Sequence, residues 1–435
     1  MLLQYKYSKY NVIFKRKTKT VAVFNTFTGS FCELNRELFE KLHNRTGLSA
    51  ADNIEYFDTL IEQGILVPQD LDETEQILAL ERESLYSCGY NSLLTYVIAP
   101  TMKCNMNCYY CFEQDRQQCS FLDESQKNAI LSYIEGQFKQ LNIKKFSIHW
   151  FGGEPLLAYD WIVDFSKKLL KICEQYKVEY TAFLITNGLL LTQEKCKVLH
   201  EQCNVNGAQI TLDGTRDIYA KIKNVKPECF DKVIQNIIEC CNMLDIRIRL
   251  NGSKENIEDL KKLSDYLFGE KNLAYKVKIY LAEIKDYGLC FADSCSLLQK
   301  EFCNIKKEFY KYLFDKHHVL VNKKRTNRLF MGTSCGFIKK NNLVIGADGN
   351  FYTCEHHVGK QQFIVGNVFQ GQFFNQVNRQ YTTQHHEKKC LSCKMFPLCL
   401  GGCVYEKLQF GNKYMNCKEK KMDLQGLLEE TYKNL

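Results

Sequence analysis

No run of apolar residues in this 435-residue sequence approaches the roughly 18 in succession that a membrane-crossing helix requires. The opening, MLLQYKYSKYNVIFKRKTK, lacks an apolar stretch followed by a small-residue cleavage site, so no secretory route is expected and the cytoplasm is the expected compartment, with no membrane partner. The basic residues are not gathered into an arm or a finger. The formal net charge of +8 is spread along the chain, which argues against a nucleic-acid partner. The short basic stretch KRKTK at 15–19 lies between alternating apolar residues and reads as a hairpin turn. Nor is this a small protein that needs covalent staples, because its length accommodates two or three domains with cores of their own.

What is present is aromatic and sulfur-rich: 28 Phe, 25 Tyr and 22 Cys. A reducing cytosol does not favour stable disulfides, so that many cysteines there point to metal instead.

Residues 1–90 form one compositional unit. NVIF, TVAVFN and TGSFCEL alternate and are rich in β-branched and aromatic residues, predicting a small antiparallel sheet. Asn35 is a helix cap for a segment through His43, and Ser49 begins another that carries Ile54, Phe57, Leu60 and Ile61 until Gly64. Residues 70–90 read as a connector. From Leu94 the pattern becomes strand, loop, helix, repeated about six times: TYVIAP, FSIHW, TAFLITNG, GAQITLDG, DIRIRLNG and YKVKIYLAE are the strands, with helices such as 123–140, 161–176, 230–244 and 255–268 between them. Gly, Asn and Asp fall at the carboxyl ends of those strands, where α/β folds place their chemistry. Six units are too few for a closed eight-stranded barrel, so the expected fold is α/β, a partial (β/α)6 TIM-like barrel over 94–300. It is preceded by a small α+β domain at 1–90 and followed by a cysteine-rich domain at 301–435. That last segment begins helical and basic to about residue 330; beyond Cys335 it has little periodicity and is expected to build little hydrophobic core, its cohesion coming from metal instead.

Ten cysteines fall into two organised groups. TMKCNMNCYYCFE, at 101–113, places Cys104, Cys108 and Cys111 in one loop between a strand and a helix. Zinc sites usually offer four ligands, and no fourth is obvious here. A four-iron cube held by three thiolates keeps one iron open to a substrate or cofactor. The second group is Cys335, Cys354, Cys390, Cys393, Cys399, Cys403 and Cys417, with Gly349 between the first two. Thiolate spacing by itself does not separate zinc from iron. Among the others, Cys173, Cys196, Cys240 and Cys241 lie in apparent helices and read as small buried hydrophobes, while Cys290, Cys295 and Cys303 precede the tail and are candidates for an extra ligand.

The loop with Cys104, Asn107, Cys108, Tyr110 and Cys111 resembles the signature of the radical S-adenosylmethionine enzymes. Gly152-Gly153-Glu154-Pro155, Thr186-Asn187-Gly188 and Leu212-Asp213-Gly214 resemble that family's further strand-end motifs. The resemblance covers about residues 94–290. It implies an open iron that holds the cofactor's methionyl amine and carboxylate, one-electron cleavage to a 5'-deoxyadenosyl radical, and hydrogen abstraction from a substrate. It places Tyr110 beside adenine, the GGEP segment near the methionyl amine, and Thr186, Asn187 and Asp213 in the strand-end segments near ribose and substrate. Physically, GGEP offers close backbone approach, a carboxylate acceptor for an ammonium, and a proline that locks the turn. Arg247 and Arg249 share a face of the fifth strand, and one of the pair is the candidate anchor for the cofactor carboxylate.

The seven later cysteines resemble the SPASM extension of peptide and protein maturases. By that resemblance Cys390, Cys393, Cys399 and Cys417 hold a distal auxiliary [4Fe-4S] cluster, and Cys335, Cys354 and Cys403 a nearer one, giving three clusters with the loop's own. Seven thiolates cannot fill eight places, so the nearer cluster either recruits another residue or keeps an open iron. Glu355 follows Cys354 at the position of a carboxylate that accepts a proton in sulfatase-maturing members; the plainer reading is a carboxylate at the surface or one that only supports the residues touching the cluster. His356 and His357, being adjacent, face different ways, and the doublets His317-His318 and His385-His386 are expected to be solvated. Where many relatives carry His-Asp and an arginine after the LDG segment, this chain has Tyr219-Ala220, Lys221 and Lys223, which leaves the charge without the planar fork.

The first 90 residues, through FNTFTGSFCELN and LIEQGIL, resemble a shortened winged-type peptide-recognition element of ribosomal-peptide maturases, in which a leader peptide adds as a strand to a sheet edge. The KRKTK turn would then help hold an acidic leader. Together these resemblances imply a peptide maturase that installs a crosslink, foremost a cysteine-to-carbon thioether. The alternatives are formylglycine formation or a carbon–carbon crosslink. The partners are a precursor peptide with a leader and a low-potential electron donor such as flavodoxin or ferredoxin.

Overall fold

In a computed structural model, the described residues are 3–15, 19–86, 93–113, 121–253, 256–284, 299–319, 332–383, 385–411 and 417. They form two compact units. The larger comprises Cys88–Val321 and Gly336–Thr383, the smaller Met1–Ser87, Asn322–Cys335 and Gln384–Leu435.

In the larger unit six parallel strands, Leu93–Ile98, Lys145–Trp150, Glu179–Thr186, Val205–Thr211, Asp245–Gly252 and Lys278–Glu283, lie side by side in chain order. Their two-residue alternation divides the sheet into two faces. In the second strand Phe146, Ile148 and Trp150 are fully buried, whereas Ser147 and His149 on the opposite face are only half-buried. Each fully buried side chain of this size contributes about 1.5–3 kcal/mol relative to exposure. Parallel neighbours require crossovers, and helices supply them: Glu124–Gln140, Tyr159–Tyr176, Gln193–Cys203, Glu228–Cys240 and Ile257–Asp265. Asp123 and Gln126 form a reciprocal capping box at the start of the first, and Thr192 caps the third. Cys173, Cys196 and Cys240 lie in the core and Cys241 at its margin, as expected of small hydrophobes.

The sheet does not end at the first strand. Leu343–Ile345 pairs with it in parallel, Leu343 opposite Tyr96 and Ile345 opposite Ile98, and Asn350–Tyr352 continues antiparallel. All three residues of that added strand are completely buried. The expectation that the segment beyond Cys335 could build little core is therefore corrected: a short apolar strand needs no periodicity of its own when an existing sheet edge supplies its hydrogen bonds. The long helix Gln299–His317 buries Phe302, Cys303, Phe309 and Leu313. His317 is not simply solvated, because Nε2 lies 2.7 Å from Asp265, which also receives Tyr312 and Lys316. Cys290, Cys295 and the predicted helical stretch beyond 319 lie outside the described residues.

In the smaller unit Asn11–Lys15, Thr20–Asn25 and Phe31–Asn35 form the expected antiparallel meander. Asn35 caps the helix Arg36–His43, accepting from Leu38 N at 2.7 Å. The helix expected from Ser49 is two pieces, Ala50–Asp52 and Phe57–Glu62, because Asn53 and Tyr56 take left-handed backbone between them. A second sheet sets Tyr5–Tyr7 between Thr46–Leu48 and Leu66–Pro68. The expected connector is instead the helix Glu73–Tyr86, whose start Asp72 caps by accepting from Thr74 N. Most of the KRKTK turn, residues 16–18, lies outside the described residues. Residues of the cysteine tail complete this unit's core. Phe24 packs with Met395, and Tyr10 and Ile77 pack with Phe396 and Leu400. Lys394 Nζ donates to Asn11 O at 3.0 Å. His386, expected in solvent, is buried with Nε2 2.6 Å from the buried Glu81.

Candidate functional site

The three-cysteine loop leaves the first strand at its carboxyl end. An antiparallel bridge between Thr101 and Phe121, and Leu122 N donating to Pro100 O at 2.9 Å, close the segment on itself. Met102 and Met106 are buried, fastening the loop from below, while Cys104, Cys108 and Cys111 remain partly accessible. Burial pushes all three thiols upward, Cys104 to about 11 and Cys111 to about 12, with Glu113 and the other two thiols adding to Cys111. A metal would displace those protons, since the thiolate is the ligand. Among the described residues no three His, Cys, Asp or Glu side chains already converge on one point. The fit to an iron–sulfur cluster therefore rests on the donor set, three partly accessible thiols in one closed loop.

The GGEP segment lies directly against this loop. A Cβ on Gly152, whose φ is +120°, would fall 2.1 Å from Thr101 O, and one on Gly153 would fall 2.4 Å from both Met102 O and Lys103 O. Glu154 N donates to Lys103 O at 2.9 Å. Only glycine permits this approach. Glu154 itself is completely buried: its carboxylate accepts from Leu156 N, from the Thr186 hydroxyl and from Asn187 N at 2.8–2.9 Å. Burial pushes its pKa up while those donors oppose the shift. Pro155 opens the short helix that Glu154 caps. Asn187 Nδ2 reaches Asn105 Oδ1 at 2.6 Å, tying the third strand end to the cysteine loop. The expected carboxylate acceptor is thus already a strut that joins two strand ends beneath the loop.

At the fourth strand end stands a buried charged network. The Tyr110 hydroxyl donates to Asp213 Oδ2 at 2.5 Å and accepts from Lys223 Nζ at 2.6 Å and Asn251 Nδ2 at 3.0 Å. Lys223 Nζ is 2.6 Å from Asp213 Oδ2, with the two side chains 4% and 0% exposed. Burial works against the Lys223 charge, but Asp213 and then Tyr110 hold its pKa well above the ordinary value. The Lys223 carbonyl accepts from Asn107 N at 3.1 Å, and burial pushes the Cys108 thiol up against the pull of the Lys223 charge. Asp213 Oδ1 is buried with no hydrogen-bond partner among the described residues, an acceptor suited to a ligand hydroxyl or amine.

The two arginines part company. Arg247 is half-exposed, bound to Asp245 at 3.1 Å and stacked 4.9 Å over Phe183. Arg249 turns to the strand end, donating to Asn251 Oδ1 at 2.8 Å. On the same inner face, burial and then Arg247 push His149 below its ordinary value, and Tyr280 donates to Gln209 at 2.6 Å. Glu355 opens a short helix turn; burial pushes its carboxyl up to about 7 against the pull of Arg249. His356 meets Phe112 of the cysteine loop at 4.3 Å, while the buried His357 stacks on Phe363. The adjacent histidines do face different ways.

Of the seven later cysteines, Cys354 lies in the larger unit, and Cys335, Cys390, Cys393, Cys399, Cys403 and Cys417 lie in the smaller. Cys390 and Cys393 share a turn, Cys393 N donating to Cys390 O at 3.0 Å. Burial, then Cys399 and Cys417, push the Cys390 thiol up. Cys390 thus senses two of the three thiols expected to share its ligand set, although no metal-holding group of three forms among the described residues. Asn251 was not singled out in the sequence, although LNG at 250–252 repeats the pattern of TNG and LDG at the earlier strand ends. Asn256, which donates to Asp213 O and Asn251 O, has no local signal at all.

Residues 98–267 match the Radical SAM superfamily model. A cysteine-type anaerobic sulfatase-maturating enzyme of Clostridium novyi (strain NT) is 24% identical over 341 residues, which are 71% of this chain and 87% of that one. Among solved structures, native anSMEcpe with bound AdoMet and Cp18Cys peptide has a TM-score of 0.57 at 19% identity, covering 78% of this chain and 97% of that chain. Streptococcus suis SuiB bound to precursor peptide SuiA has a TM-score of 0.54 at 17% identity, covering 96% of this chain and all of that one (100%). At these identities the two structures establish a shared fold. No described helix is long and apolar enough to cross a membrane.

Proposed function

We propose that this chain, whose residues 98–267 match the Radical SAM superfamily model, is an enzyme of that kind that matures a ribosomally made peptide, foremost by closing a thioether between a cysteine sulfur and a carbon. The observation that carries the reading is the cysteine loop seated on the bare backbones of Gly152 and Gly153, beside a buried carboxylate oxygen of Asp213 that has no donor among the described residues. Cys104, Cys108 and Cys111 would hold a four-iron cluster, and S-adenosylmethionine bound there supplies a 5'-deoxyadenosyl radical once an electron is delivered.

The chain's own residues orient and protect. Gly152 and Gly153 let ligand and loop approach, Thr186 and Asn187 fix the third strand end through Glu154, and Asp213 Oδ1 accepts from a cofactor hydroxyl. Arg249 is the better placed of the two arginines for a carboxylate, because it already turns toward Asn251 at the strand end. Tyr110 serves as a hydrogen-bonded wall whose hydroxyl is held by Asp213, Lys223 and Asn251. Glu355 receives the proton the substrate releases, its burial beside Arg249 suiting it to that exchange. Residues 1–90 would take the leader, 94–300 the radical chemistry and 301–435 two auxiliary clusters, with Cys390, Cys393, Cys399 and Cys417 on one and Cys335, Cys354 and Cys403 on the other. A low-potential flavodoxin or ferredoxin would deliver the electron.

The similarity to the Clostridium novyi sulfatase-maturating enzyme, together with the carboxyl of Glu355, favours a second reading, oxidation of a peptide Cys or Ser to formylglycine. Co-expression with the small open reading frame beside the gene separates them by mass and alkylation. A peptide that loses two hydrogens together with a cysteine thiol supports the thioether. A new aldehyde supports formylglycine, and an unmodified peptide alongside cofactor cleavage shows that this peptide is not the substrate.

A further inference from the structure

The hydrogen bonds at the fourth strand end leave one acceptor over. The Tyr110 hydroxyl is saturated, since it donates to Asp213 Oδ2 at 2.5 Å and accepts from Lys223 Nζ and Asn251 Nδ2, which is all that a phenol can do. Asn251 Oδ1 is taken by Arg249 Nε at 2.8 Å. The fully buried Asp213 is served unequally: Oδ2 faces both Tyr110 and Lys223 Nζ, the latter at 2.6 Å, whereas Oδ1 has no hydrogen-bond partner among the described residues. Lys223 is itself firmly placed. It is the last residue of the helix Arg216–Lys223, which ends as Asn224 takes left-handed backbone, and its ammonium lies 5.2 Å from the centre of the Tyr110 ring and 5.9 Å from that of the buried Tyr219. A dry ion pair adds little stability over apolar side chains of similar volume, and a buried acceptor without a donor costs stability outright. Folding alone accounts for neither feature; a ligand that brings a donor to Oδ1 accounts for both.

We propose that Lys223 is a positioning residue for the cofactor: by holding Oδ2 together with Tyr110 it keeps the Asp213 carboxylate from turning, and so presents Oδ1, ready oriented, to a hydroxyl of S-adenosylmethionine. This rests on the reading that S-adenosylmethionine binds at this strand end. The main chain of Asp213 is fixed separately, because Asn256 Nδ2 donates to its carbonyl at 2.9 Å, so variants at 223 report on the orientation of the carboxylate rather than on the path of the strand end.

The test is a double-mutant cycle on the affinity of the anaerobically reconstituted full chain for S-adenosylmethionine, measured by equilibrium dialysis at equal iron content and alongside the melting temperature. Asp213→Asn weakens binding by about tenfold or more, as for a lost hydrogen bond to a charged group. Lys223→Met weakens it too, and also lowers the melting temperature because a buried carboxylate loses its partner. The double variant Lys223→Met with Asp213→Asn removes both charges. Its melting temperature recovers, but its affinity stays within about twofold of that of Asp213→Asn alone, since Lys223 acts only through Asp213. A Lys223→Met chain that binds as wild type does, losses that multiply in the double variant, or an affinity that recovers along with the melting temperature would overturn the proposal. A wild-type chain that carries iron yet does not bind S-adenosylmethionine would instead overturn the reading on which it stands.

Discussion

Gly153 has no room for a methyl group, since two carbonyl oxygens of the cysteine loop stand 2.4 Å from where a Cβ would be. Gly153→Ala must therefore push the loop off its seat. The expected cost is about 1–3 kcal/mol of stability, as for overpacking in general, together with a loss of iron measured per chain after reconstitution. Unchanged melting and iron content would mean that the loop is not seated on this backbone. Glu355 makes a separate prediction. Glu355→Gln should leave 5'-deoxyadenosine formation standing while product falls by roughly 10²–10⁴-fold, the range for losing a positioned acid or base; equal losses in both would remove it from the proton's path. At this scale the sequence was legible wherever a residue type has few uses. Paired glycines before Glu-Pro and three close cysteines speak for themselves. Lys223 and Asn256 do not, because a lysine or an asparagine is usually solvated, and only the fold reveals that Lys223 is 3% exposed and Asn256 4%.

The parallel strands announced themselves through their alternation and the Gly, Asn and Asp at their ends, and all six are present. The strand Leu343–Ile345 could not be read in this way, since three apolar residues carry no period and their significance comes from a sheet edge about 250 residues earlier (343 against 96). Ile345→Ala should cost about 2–5 kcal/mol, as for large-to-small changes in a core, and a melting curve unchanged from wild type would place this strand outside the cooperative unit. The helix Gln299–His317 is held by a different device. Asp265 accepts from Tyr312, Lys316 and His317, and although its burial raises the carboxyl pKa, those partners draw it below the ordinary 3.8. A depressed carboxylate contributes stability above its unfolded value that is lost as pH falls through the folded one. Asp265→Asn should thus lower the melting temperature at neutral pH and converge with wild type at pH well below 3.8; a gap that persists in acid would show that the charge is not what matters.

Across the whole molecule, the smaller unit joins residues from both ends of the chain. Tyr10, Ile77, Phe396 and Leu400 share one core, and Lys394 reaches Asn11. No local pattern discloses such a pairing, because it links segments more than 300 residues apart (11 against 394), while hydrophobic periodicity speaks only of nearest turns. The consequence is that the element resembling a leader-binding module and the thiols of Cys390, Cys393 and Cys399 belong to one compact unit. The most direct test of the whole account is the fate of S-adenosylmethionine when it meets the anaerobically reconstituted full chain and a strong reductant. The account predicts 5'-deoxyadenosine and methionine in equal amounts, abolished in Cys104→Ala; an iron-loaded, folded protein that makes neither, even with its peptide present, would contradict it.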